Sequence, residues 1–132
     1  MASPQLIALI NVELARVLRL RGEPDLARPS LRHALESIAS SGDQTVRASV
    51  LEGVAEWFAS IGDWEGVAVL IGAAYALRGI ARTSDPAVAS LDARAAEVLG
   101  EDRHRAAHHQ GAALPSPESF ALTGIGEKPR PP

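Results

Sequence analysis

The segment LEGVAEWFASIGDWEGVAVLIGAAYALRG, Leu51 to Gly79, decides how this chain is read. Apolar residues recur at helical spacing up to Ile61, Gly62 stops the pattern, and Asp63 is placed to cap a second helix from Trp64. That second helix carries no charge between Glu65 and Arg78. A helix that is apolar all the way round is stable in water only where other elements cover every side. The segment therefore predicts a helical hairpin whose second arm lies at the centre of an all-α domain.

The same helix–glycine–helix pattern precedes it. LARVLRLRGEPDLARPSLRHAL, from Leu14, aligns without a gap on VAEWFASIGDWEGVAVLIGAAY, from Val54. Gly22 meets Gly62, Leu18 meets Phe58, Ala27 meets Val67, Leu31 meets Ile71 and Ala34 meets Ala74, at a constant offset of 40 residues. Ala15 and Ala55 let the second arm approach, the glycines make the corners, and Leu31 or Ile71 fills the groove. One such hairpin cannot bury both of its faces, so the pattern predicts stacked antiparallel hairpins. An ordinary helical bundle with a central helix predicts the same apolar segment and is the alternative.

Further out, Leu6, Ile10, Leu14, Val17 and Leu18 mark a first helix ending at Gly22. Pro24 suits a first helical turn; Pro29 either kinks a helix that starts at Pro24, the preferred reading, or leaves the regular helix to start near Arg28. Asp43 caps a third helix, and the fourth is expected to run from Trp64 to about Ala81. TSDP is a polar turn with Ser84 or Asp85 as cap. Helices from Pro86 to Leu99 and from Glu101 to about Ala113 follow. Ser116 caps a last short segment whose Phe120 and Leu122 fold back on earlier helices. Residues 1–125 are expected to form one domain, and 126–132 a flexible tail.

Composition narrows the function. The chain has 132 residues, 46% hydrophobic and 4% aromatic, so alanine, leucine and valine fill its core. Without cysteine there are no disulfides, thiolate nucleophiles or Cys-ligated metals. A net charge of −3 argues against direct nucleic-acid binding. The uncharged run Gly66–Leu77 is too short to span a membrane, and no signal peptide is visible, so a cytoplasmic location is expected.

The repeated pattern resembles the tetratricopeptide repeat. Its large and small positions fall on Leu14, Ala15, Leu18, Gly22, Ala27, Leu31 and Ala34, and again on Val54, Ala55, Phe58, Gly62, Trp64, Ile71 and Ala74. The departures are a period of 40 where about 34 is usual, Val67 in place of a small residue, and no closing proline. This reads as two degenerate repeats plus capping helices. The stretch from Leu51 to Ile125 also resembles the C-terminal end of large actinobacterial transcriptional regulators, LuxR-type and antibiotic-regulatory. These carry an ATPase module followed by tetratricopeptide-like helices. The family's closing pattern falls on Gly111, Leu114, Ser116 and Glu118. The resemblance implies a non-catalytic interaction or regulatory module, whose partner is a protein, a peptide or another domain of a larger regulator. The first helix begins directly after MASP, a hint of a segment cut from such a protein.

No catalytic residue and no cofactor are expected. The single lysine, Lys128, lies in GEKPRPP, so a phosphate-binding GxxxxGK[ST] loop is impossible. No GxSxG elbow occurs. His104 and His108 stand four apart with Glu101 a turn earlier, a spacing that could chelate a metal. The zincin pattern needs Glu where Arg105 stands, so both are read as exposed histidines on a polar helix and no metal is expected. Arg16, Arg19, Arg28 and Arg32 read as solvated surface, countered by Glu13, Asp25 and Glu36. Trp57 and Trp64 are core anchors or, if exposed, binding hot spots. In tetratricopeptide-like stacks the first helix of each pair lines the inner surface, which makes Arg16, Arg19, Glu52, Glu56 and Ser60 the outward, partner-binding positions. Self-association as a homodimer fits the same reading. The alternative is a small-molecule sensor with a ligand pocket between hairpins.

Overall fold

Ser3, Asp43, Asp63, Asp85 and Ser116 each stand just before a helix and accept a hydrogen bond from a backbone N–H of its first turn. Each such cap is worth about 1 kcal/mol. The helices they open, in a computed structural model describing residues 3–79 and 85–126, are α1 (Pro4–Leu20), α3 (Gln44–Ser60), α4 (Trp64–Arg78), α5 (Pro86–Leu99) and α7 (Pro117–Ile125). Two more, α2 (Arg28–Ile38) and α6 (Glu101–Ala113), have no side-chain cap. Among the described residues there is no strand, and the protein is all-α. Asp85 is the cap of α5, and α4 ends at Arg78 with Gly79 as its C-cap, short of the expected Ala81; Ser84 and residues 127–132 of the expected tail lie outside the described residues.

Both predicted corners form, and in the same way. Gly22 and Gly62 take φ of 80° and 81°, a left-handed conformation that a side chain would strain. Beyond each glycine the chain bonds back onto the helix, Glu23 N–H to Leu18 O and Asp63 N–H to Phe58 O, both at 2.9 Å. The matched positions Ala15 and Ala55, Ala27 and Val67, Leu31 and Ile71, Ala34 and Ala74 are all buried. The second arms differ. Pro24–Ala27 form a 3₁₀ turn and regular α-helix starts at Arg28, the second of the two expected arrangements and not the preferred kink at Pro29. Pro29 has no N–H to donate to Asp25, and a tighter turn there needs none.

Around α4 the predicted burial forms, although its cover comes from α3 and the later helices and not from the preceding pair α1 and α2. Every residue from Gly66 to Ala74 is buried. α3 packs along one side and α6 along another, with α5 and α7 also in contact. The α4–α6 crossing is made possible by two glycines. A Cβ on Gly72 would sit 2.5 Å from the carbonyl oxygen of His108, and one on Gly111 would collide with the carbonyl oxygen of Val69.

The first helix departs from expectation. Its core side is Ala8, Val12 and Ala15, and its large residues Leu6, Leu9, Ile10, Leu14, Val17 and Leu20 are exposed. The reason is close approach. Val12 lies where a Cβ on Gly53 would overlap it, and only small side chains allow α1 to come that near α3.

α7 folds back as expected, with Ala121 and Ile125 buried and Phe120 and Leu122 partly so. Arg28 and Arg32 donate to the carbonyl oxygens of Ile125 and Gly126 at the C-terminal end of α7, where cations are favoured. Neither is the free surface charge predicted for it. Trp57 is fully buried and its Nε1–H donates to Pro24 O at 2.8 Å, whereas Trp64 is only partly buried.

Candidate functional site

The five predicted partner-binding residues are not one surface. Arg16 bonds Glu56 through Nε at 3.2 Å and Nη2 at 2.9 Å, and Arg19 reaches the same carboxylate at 3.3 Å. The Glu56 hydrogen bond, outweighing the effect of burial, holds the Arg16 guanidinium above its ordinary value. Arg19, Glu56 and Ser60 line an open cleft of about 430 Å³ with Trp64, Leu91 and Arg94. Glu52 lies elsewhere. It is buried and paired with Arg78 at 2.7 and 3.0 Å, so it binds α4 to α3 and does not point outward. The expectation placed Glu52 on the inner surface that the first helix of each pair lines in a tetratricopeptide-like stack. The core of this molecule surrounds α3 on more sides than a hairpin stack requires.

The outer face of α1 is the least covered apolar surface among the described residues. Leu6, Ile10, Leu14 and Val17 are 50, 57, 47 and 50% exposed, with Leu9 and Leu20 beside them. Six half-exposed side chains of this size leave on the order of 500 Å² of apolar surface in water, at the upper end of what monomers tolerate. Glu13 is the charged residue within the stripe, and Arg16 pairs with it.

A third constellation joins α5 to α6. His104 and His108 sit one turn apart on α6, and each Nε2 lies 2.8 Å from the same oxygen, Oδ1 of Asp92 on α5. They are half-buried and not exposed as expected; their rings are 4.3 Å apart, and the edge of Tyr75 approaches His108 at 5.8 Å. Glu101 takes no part, being exposed and paired with Arg105. Burial opposes ionisation of Asp92, yet the hydrogen bonds from His108 and His104 outweigh it and hold the carboxyl below its ordinary 3.8. A signal for Asp92 existed in the sequence. It and His108 lie equally far on either side of the corner at Gly100, where an antiparallel hairpin brings them level.

The lowered pKa of Asp92 sets a pH dependence. A carboxylate with a depressed folded-state pKa stabilises the fold fully above its unfolded value, here 3.8, and loses that contribution as pH falls through the folded value. Urea midpoints taken from about pH 6 down to about pH 2 are expected to show wild type above Asp92→Asn at the upper end, with the gap closing at the acid end. A gap that stays constant with pH contradicts the assignment.

Compared with known proteins, the chain matches no family model, no curated protein and no solved structure.

Proposed function

We propose that this chain is a non-catalytic protein–protein interaction domain of the regulatory kind its sequence resembles, and that it self-associates through the outer face of α1. The observation that carries the reading is the contrast between α4, which has no charge from Gly66 to Leu77, and α1, whose exposed side is a stripe of large apolar residues around Glu13. α4 is covered on every side by its own chain, whereas α1 is covered on one side only. Two α1 faces meeting across a two-fold axis remove about 1,000 Å², the lower bound for a specific interface, which fits a concentration-dependent dimer. The sensor reading has less support: it calls for a closed apolar pocket, and the clefts beside Trp64 and His108 are both open to solvent.

The test is light scattering with size-exclusion chromatography across a concentration series. Wild type is expected to pass from monomer to dimer, and Ile10→Glu with Leu14→Glu to stay monomeric with unchanged helical circular dichroism. Wild type that stays monomeric at about 200 μM, or a dimer that survives both substitutions, contradicts the reading.

A further inference from the structure

We infer that Asp92, His104 and His108 form a binding site for a first-row divalent cation, zinc above all. One ring nitrogen of each histidine and a carboxylate oxygen all lie within 4.8 Å of one another, and both Nε2 atoms are 2.8 Å from Oδ1 of Asp92. Ligands bound at about 2.0–2.2 Å from one zinc ion stand roughly 3–4 Å apart, so side-chain shifts of tenths of an ångström admit the ion. The donor set of two imidazoles and one carboxylate suits zinc, cobalt or nickel and is too poor in oxygen for magnesium or calcium.

Pre-organisation supports the site further. His104 and His108 project from one face of α6, and the α6 backbone at His108 is held against Gly72 of α4, where no Cβ fits between them. Asp92 comes from a different helix, so the ion fastens α5 to α6. Each imidazole donates an Nε2–H to Asp92 in the metal-free arrangement; on binding, that proton moves to Nδ1 and the Nε2 lone pair turns to the metal. Three protein ligands leave coordination positions for water. His108 also lines an open cleft of about 630 Å³ with Tyr75, Ala76 and His109.

The experiment is a zinc titration of the full chain, followed by calorimetry and by the ring ¹⁵N shifts of its histidines. One equivalent is expected to bind with a micromolar or tighter dissociation constant and to move Nε2 of His104 and His108, leaving His33 and His109 in place. Asp92→Asn and His108→Gln are each expected to weaken binding by about 30-fold or more, and His33→Gln not at all. The wild-type shifts carry the test if a variant fails to fold. No saturable binding below about 1 mM zinc, ring shifts at His33 or His109 in place of the pair, or affinity unchanged in a folded Asp92→Asn protein would each overturn the proposal.

Discussion

Replacing Gly111 with alanine is expected to destabilise the domain by about 3 kcal/mol or more, and with valine to prevent folding at physiological temperature. Helix propensity alone favours alanine over glycine by about 1 kcal/mol, so the expected result opposes the local preference. The new methyl would overlap the Val69 carbonyl oxygen and lie 2.8 Å from its carbon and 2.9 Å from Ala73 N. All three are backbone atoms of α4, and a helix backbone cannot rotate aside as a side chain can. Gly72→Ala meets the His108 backbone and belongs to the same class. Gly53→Ala and Gly124→Ala press instead on the side chains of Val12 and Phe58, and Gly42→Ala meets nothing within 4 Å. The urea midpoints are therefore expected to rank Gly42 well above Gly53 and Gly124, and these above Gly72 and Gly111. A Gly111→Ala protein as stable as wild type would mean that α6 does not lie against α4.

The second large effect is at Glu118. Its side chain is 3% exposed, and Arg47, 16% exposed, grips it through Nε at 2.7 Å and Nη2 at 3.0 Å. The Glu118 hydrogen bond raises the Arg47 guanidinium above its ordinary value against the pull of burial. Glu118→Ala leaves a desolvated cation without its carboxylate, which costs about 3–5 kcal/mol. Converting the pair together, Arg47→Met with Glu118→Leu, removes both charges and is expected to cost far less than the single change. Thermal denaturation of Arg47→Met, Glu118→Leu and the double variant closes the cycle. Additive losses would show that the pair is not coupled, and with it that α7 is not fastened to α3 through Glu118.

The elements most legible in the sequence are those whose cause is local. Gly22 and Gly62 announce corners because few other residues take their φ, and Asp43 and Asp63 announce helix starts because they cap the next turn. The apolar run in α4 predicts burial because nothing on it can face water. What was not legible depends on partners distant in sequence. Gly72 and Gly111 look like weak points in two helices until the crossing that needs both is known. Glu52 looks like an outward charge until Arg78 is placed beside it. Leu6, Ile10, Leu14 and Val17 look like a core stripe because they are large. In α1 the core side is instead made of alanine and Val12, since approach to Gly53 rewards small volume over apolar area. Asp92 was legible only by counting back across the Gly100 corner.

The apolar surface of α4 is satisfied within the chain, and that of α1 is proposed to be satisfied by a second copy. The most direct measurement is an isotope-filtered nuclear Overhauser experiment on an equimolar mixture of labelled and unlabelled chains at high concentration. Intermolecular contacts among the methyl groups of Leu6, Ile10, Leu14 and Val17, with none from Val69, Leu70 or Ile71, are the predicted result. Intermolecular contacts arising from α4, or none at all from α1, would contradict it.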